Sequence, residues 1–312
     1  MGVIAQPGRG RPRSASTTGA LLLVAAALCG GINGSITHAL ASAHVDPVRI
    51  NQFRFLVAFT VFAAALRVHR PELWRVPRHA RLTLLMCGLL VAYGTGLGYI
   101  VAIARLEVGV ALALVYTSPI LLLAWASIST RRRPRPAAAL AVALAVAGCA
   151  LVVRTAQVDR IDLLGVVAAF ACALSFAGYV TLIGGLREAV PAGTIVFALF
   201  SVSALVLALW PPLWTFPVAR LSLISWLELV GVMLFATLLP YSLIAAATLR
   251  LPGPQVGVMM TLEPVFATAI AWGTLGESLS ALQLLGIALV LCGAALAHTR
   301  GVAAPRPAVS RG

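Results

Sequence analysis

Two ionisable side chains stand where the surrounding sequence is otherwise apolar. Glu263 lies in Met259-Met260-Thr261-Leu262-Glu263-Pro264, at the middle of a long uncharged run, and Arg54 lies about a turn from the middle of another. A charge at such depth in a bilayer costs roughly 2.5–3.5 kcal/mol on insertion scales unless it is paired or wetted. Each is therefore either part of a substrate or proton site, or structural. In the structural case Arg54 snorkels outward or bridges carbonyls, and Glu263 is satisfied by backbone opened at Pro264. Intramembrane ionisable groups default to function. Polar groups at comparable depth are Asn33, Thr37, His38, Tyr93, Tyr99, Tyr116, Ser118, Ser175, Tyr179, Tyr241, Gln255 and Thr261. A small zwitterion needs such donors and acceptors, although the same groups also serve as interhelical hydrogen bonds worth roughly 0.6 kcal/mol each. The candidate cavity is assigned to Asn33, His38, Arg54, Tyr99, Tyr116, Tyr179, Tyr241, Gln255 and Glu263. Glu263 and His38 leave proton coupling open. Pro119 and Pro264 sit mid-run, where a proline frees the carbonyl four residues back, and are assigned as hinges; a static kink is the alternative.

Catalytic signatures are scarce. The chain carries no HExxH, GxSxG, Walker loop or paired-aspartate motif, and its nine carboxylates are dispersed. The five cysteines are odd in number, far apart and embedded in apolar runs, which writes neither a disulfide framework nor a metal site. No cofactor is expected, and without a nucleotide site any transport is gradient-driven or passive.

The elements that must position these residues follow from composition. Of 312 residues 61% are hydrophobic and only 10% charged, against about a quarter charged in soluble domains. Ten runs stand out, at 19–40, 48–66, 82–104, 108–129, 137–153, 163–185, 192–212, 222–246, 254–275 and 281–298, close to the roughly 20 residues that span a bilayer. Uniform apolarity without in/out alternation selects helices over barrel strands. The net charge of +14 comes from 23 arginines and no lysine, gathered between the runs rather than on one face with interleaved aromatics, which excludes a nucleic-acid partner. With the amino terminus inside, 17 of the 23 arginines fall on inner segments and five on outer ones, so the positive-inside rule puts both termini in the cytoplasm. The first run is read as a retained span, since no small-residue cleavage pattern follows it. Tryptophans near run ends (Trp125, Trp210, Trp214, Trp226, Trp272) suit the interface. Ser280 and Gln283 have capping-box spacing for the last run.

An internal repeat is visible. A shift of 145 residues superposes Arg105-Leu106 on Arg250-Leu251, Pro119 on Pro264 and Gly148 on Gly293 without a gap. The chain divides into a tail (1–18), a first five-helix repeat (19–153), a linker (154–162), a second repeat (163–298) and a tail (299–312). Five is odd, so the second copy enters the membrane inverted, the architecture of many secondary transporters. The fold class is an all-α polytopic membrane protein of ten transmembrane helices in two inverted five-helix repeats.

Residues 249–296 resemble the second repeat of the EamA-type transporters of the drug/metabolite transporter superfamily. The resemblance is carried by Leu262-Glu263-Pro264-Val265-Phe266-Ala267, Ala271-Trp272, Leu275-Gly276-Glu277, Gln283, Gly286 and Gly293. In the first repeat Pro47 with Arg54-Phe55, and Ser118-Pro119, are similar to the family's second and fourth spans, while Arg131-Arg132-Arg133 stand where the family usually has Gly-Glu. The resemblance implies a central cavity and small metabolites, such as amino acids, nucleosides and toxic cations, usually exported. The expectation is an inner-membrane secondary transporter, an exporter of amino acids or related compounds by alternating access, with a small-molecule substrate and the lipid bilayer as its partners. Nothing in the sequence specifies an oligomer. The alternatives are a membrane-embedded enzyme, which would require two acidic or histidine groups at one depth, and a non-transporting membrane partner protein.

Overall fold

The computed structural model describes residues 13–41, 47–106, 108–153, 162–186, 189–209, 222–275 and 279–299. Residues 1–12 and 300–312 of the expected tails, most of the expected linker, Trp210, Trp214, Gly276 and Glu277 lie outside the described residues, whereas 13–18, expected as tail, already belong to the first helix.

Within the described residues every expected run is helical. They are α1 (Arg13–Ala41), α2 (Pro47–His69), α3 (Arg81–Leu89, continuing through a widened π-helical stretch Leu90–Gly98 into Tyr99–Arg105), α4 (Val108–Val115 and Ser118–Thr130) and α5 (Pro136–Val152). The second half repeats the plan with α6 (Leu163–Gly185), α7 (Ala192–Ala208), α8 (Leu223–Val232, a π-helical stretch Met233–Leu238, then Leu239–Thr248), α9 (Gly253–Met260 and Leu262–Leu275) and α10 (Ala281–Thr299). Among the described residues seven helical segments are long and apolar enough to cross a membrane, while Ser16–Ile32, Pro136–Val152 and Ala192–Ala208 are shorter apolar helices. Seventeen residues, as in α5 and α7, make a rod of about 26 Å against a hydrocarbon core of about 30 Å. Leu21, Leu140, Leu174, Leu205, Leu227 and Leu284, from six different helices, are all more than half exposed. A molecule apolar on the outside as well as within is a multi-pass membrane protein.

Helix ends are written in the sequence. Asp162 caps α6 by accepting from the Gly165 N–H at 3.0 Å, and Ser222 caps α8 by accepting from the Ser225 N–H at 3.1 Å. The Gly165 N–H, assisted by Arg105 at 3.3 Å, holds the Asp162 carboxyl below its ordinary range. Ser280 and Gln283 form the expected capping box, Ser280 N–H donating to Gln283 Oε1 at 3.1 Å and Gln283 N–H to Ser280 Oγ at 3.3 Å. At the other end of a helix, Arg131 closes α4 with φ 52°, the left-handed region that favours glycine. The 145-residue shift pairs it with Gly276.

Packing obeys the repeat. α1 packs on α9 and α8, and the corresponding α6 packs on α4 and α3; α3 packs on α7 as α8 packs on α2; α2·α7, α4·α9 and α5·α10 map onto themselves. The α5·α10 crossing shows this at atomic scale. A Cβ on Gly286 would lie 2.7 Å from the Gly148 carbonyl oxygen, and a Cβ on Gly293 would lie 2.9 Å from that of Ala141. The shift of 145 exchanges these two contacts. Backbones approach this closely only where neither residue at the crossing carries a bulky side chain.

Candidate functional site

The site begins with two helix breaks. In α4 the Thr117 hydroxyl donates to the Leu114 carbonyl at 2.6 Å, and in α9 the Thr261 hydroxyl donates to the Val258 carbonyl at 2.7 Å. Such back-bonding competes with the helical ladder, and each helix stops and restarts there. Pro119 and Pro264 consequently fall in the first turn of a new half-helix, not in the interior of a continuous one as the sequence reading had them. A first-turn proline lacks an N–H that would have had no partner, so it is tolerated without opening the chain behind it. Glu263 occupies the same first turn, where unpaired N–H groups and the helix dipole favour a carboxylate.

Around these breaks α1, α2, α3, α4, α6, α8 and α9 line a cavity of about 150 Å³. Arg54, Tyr99, Tyr116, Tyr179, Tyr241 and Glu263 from the sequence assignment all line it. On one wall the Tyr116 hydroxyl donates to the Glu263 carboxylate. Gly30 of α1 makes room for that carboxylate, since a Cβ there would lie 2.6 Å from Oε1. Arg54 turns into the cavity, so it does not snorkel to the interface. Its Nε donates to Asn51 Oδ1 at 2.8 Å, and its guanidinium carbon sits 5.1 Å from the Phe55 ring centroid. Among the described residues no carboxylate pairs with Arg54 and no cation pairs with Glu263. An aromatic group braces the floor: Tyr241 lies 5.8 Å from Phe55 and 6.2 Å from Tyr179, centroid to centroid, and shares a 2.9 Å hydrogen bond with Thr95.

Gln255 does not reach the cavity. It is 2% exposed, with Nε2 unpartnered, in the first half of α9. Eight residues before Glu263, it lies about 12 Å along the helix axis, and residue type alone does not report depth. The side chains of Asn33 and His38 lie outside the described residues. The sequence reading missed Asn51, which is fully buried, anchors Arg54 and has an unpartnered Nδ2. Its position three residues before Arg54, on one helix face, was the available signal. It also missed Thr95 and Phe176 on the cavity wall. Among the described residues no three His, Cys, Asp or Glu side chains gather to hold a metal ion.

One end of the cavity is closed by packing. The second half of α4 lies against the first half of α9, where a Cβ on Gly257 would lie 2.8 Å from Leu122 Cδ1 and 3.1 Å from Pro119 Cα. The repeat-equivalent pair, the first half of α4 and the second half of α9, has no comparable contact among the described residues.

Comparison with known proteins identifies the family. The profile of the EamA-like transporter family matches residues 17–154 and 163–299. The uncharacterized transporter YwfM of Bacillus subtilis (strain 168) is 28% identical over 283 residues, 88% of this chain and 91% of its own length. The threonine/homoserine exporter RhtA of Escherichia coli (strain K12) is 31% identical over 232 residues, 71% of this chain and 72% of its own. A protein of known crystal structure superposes with a TM-score of 0.75 at 21% identity, covering 90% of this chain and 96% of the other. That last likeness concerns the fold alone.

Proposed function

The chain belongs to the EamA-like transporter family of the drug/metabolite transporter superfamily, and from that premise we propose that it exports small zwitterionic metabolites, amino acids in particular, across the inner membrane. The observation that carries this reading is the pair Arg54 and Glu263. They are opposite charges on one cavity within the bundle, unpaired with each other, each held by a neutral neighbour, Asn51 or Tyr116. An α-carboxylate fits the guanidinium, whose planar fork of donors matches it. An α-ammonium fits the carboxylate. A bound zwitterion thereby replaces part of the solvation that each charge loses on burial. The named activity of RhtA, export of threonine and homoserine, supports the amino-acid class.

In this proposal all ten helices cross the membrane, the two five-helix repeats are inverted, and both termini are cytoplasmic. The bias of 17 inner against five outer arginines supports that orientation. The closed end, where Leu122 packs on Gly257, then faces the cytoplasm. The shift of 145 pairs Gly257 with Leu112 and Leu122 with Ala267, so a small residue and leucine exchange places between the repeats. Alternating access follows: the outer gate closes by packing Leu112 of α4 on Ala267 of α9 as the inner contact opens, with Pro119 and Pro264 in the half-helix turns as hinges. The test is counterflow of radiolabelled amino acids in proteoliposomes, with and without a proton gradient. Protein-dependent exchange of at least one amino acid supports the reading; no exchange across an amino-acid panel removes it.

A further inference from the structure

The cavity carries one buried polar atom for which neither the protein nor a zwitterion backbone accounts. Tyr179 lines the cavity from α6 and is 1% exposed, and its hydroxyl has no hydrogen-bond partner. Two neighbouring hydroxyls are occupied, that of Tyr241 with Thr95 at 2.9 Å and that of Tyr116 with Glu263. The Tyr179 ring is fixed edge-to-face against Phe176, 5.2 Å between centroids, and tilted against Tyr241 at 6.2 Å. Ring packing would be served as well by phenylalanine, which fills the same space and brings no unsatisfied group. A buried hydroxyl without a partner is destabilising, so its place on the wall of a cavity that Arg54 and Glu263 also line points to a ligand atom.

We propose that Tyr179 is a specificity-determining residue, its hydroxyl hydrogen-bonding a hydroxyl on the substrate's side chain, so that the transporter selects amino acids with a short hydroxylated side chain. The inference rests on the amino-acid reading of the cavity and adds to it the part of the substrate that Arg54 and Glu263 do not touch. A cavity of about 150 Å³ suits a short side chain. Threonine and valine separate the two ideas cleanly, since they differ by a hydroxyl in place of a methyl. A site that hydrogen-bonds a substrate hydroxyl rejects the analogue lacking it, because the site's own polar group is then left unpaired. A pocket that merely accommodates the shape discriminates weakly.

The experiment compares counterflow of labelled threonine and valine in proteoliposomes carrying wild type or Tyr179→Phe. Wild type is expected to favour threonine by about 10- to 100-fold, within the range set by loss of one hydrogen bond to a buried partner. In Tyr179→Phe threonine flux falls to the valine level while valine flux stays within about twofold. Equal loss of both substrates in Tyr179→Phe, or wild type that does not discriminate, overturns the proposal while leaving the transporter reading intact. Absence of flux for any amino acid in wild type overturns both. Should Tyr179→Phe fail to fold, competition on wild type alone decides: serine and homoserine must outcompete alanine and 2-aminobutyrate, and equal competition overturns the proposal.

Discussion

Adding one methyl group at three glycines separates the site from the scaffold. At Gly30 the new carbon would lie 2.6 Å from Glu263 Oε1 and 2.7 Å from its Cγ. Ordinary contact begins near 3.4 Å and the carboxyl carbon lies closer still than Oε1, so the Glu263 side chain retreats by about 1 Å. It can do so by rotating its own bonds, which leaves the fold almost undisturbed but moves the anchor. Displacing a positioned group by about 1 Å can cost on the order of 10²-fold in rate. At Gly286 the same methyl meets backbone, the Gly148 carbonyl oxygen at 2.7 Å and the Val152 nitrogen at 2.9 Å. Neither can retreat unless α5 and α10 separate. Overpacking costs up to about 3 kcal/mol, and the helix-propensity gain of alanine returns about 1, leaving a net loss of about 2 kcal/mol. At Gly184 nothing lies within 4 Å, so alanine there is neutral or slightly stabilising. The assay pairs counterflow per reconstituted protein with thermal unfolding followed by tryptophan fluorescence. Gly30→Ala should unfold within about 2 °C of wild type with flux down by tenfold or more; Gly286→Ala should unfold several degrees lower with flux per folded protein retained. Wild-type flux in Gly30→Ala, or flux loss in both variants in proportion to lost stability, would refute the reasoning.

Other outcomes follow from the same geometry. Arg131→Gly relieves a left-handed residue at the end of α4 and should raise stability by about 1 kcal/mol, read as a higher unfolding temperature; no rise would contradict the capping account. Asp162, whose carboxyl is held low by the Gly165 N–H and by Arg105, contributes stability above its unfolded pKa of about 3.9 that is lost as pH falls through the depressed folded value. The advantage of wild type over Asp162→Asn in thermal unfolding should therefore be level above about pH 5 and shrink below pH 4. In a cysteine-free background, Leu122→Cys with Gly257→Cys should cross-link in the closed-inside state, and Leu112→Cys with Ala267→Cys in the opposite one; trapping either pair should stop counterflow, and free exchange through both cross-linked proteins would sink the gating scheme.

How much of this was legible in the sequence depends on the level. The helices were legible because hydrocarbon allows few other structures, and the shift of 145 residues reappears in the element starts, Val108 with Gly253 and Pro136 with Ala281. Arg54, Glu263 and four tyrosines could be singled out because a polar atom in such a run requires a partner. Depth and azimuth were not legible, which is why Gln255 entered the assignment and Asn51 and Thr95 did not. The positions of the breaks were not legible because a mid-run proline reads equally as an interior kink or as the first turn of a new half-helix, and a back-bonding threonine such as Thr117 or Thr261 also occurs within an unbroken helix, as at Thr60. The π-helical stretches Leu90–Gly98 and Met233–Leu238 carry no marker in residue type; we have no physical account of them from the sequence.

The central claim is that Arg54 binds a substrate carboxylate in this cavity. It is tested most directly by counterflow of threonine against the amine that lacks its carboxylate, 1-amino-2-propanol, in wild type and Arg54→Gln. The account predicts that wild type prefers threonine by about 100-fold, the loss that follows when a buried charge keeps no partner, and that Arg54→Gln brings the ratio close to one chiefly by losing threonine. A ratio unchanged by Arg54→Gln, with both fluxes lowered alike, would contradict it.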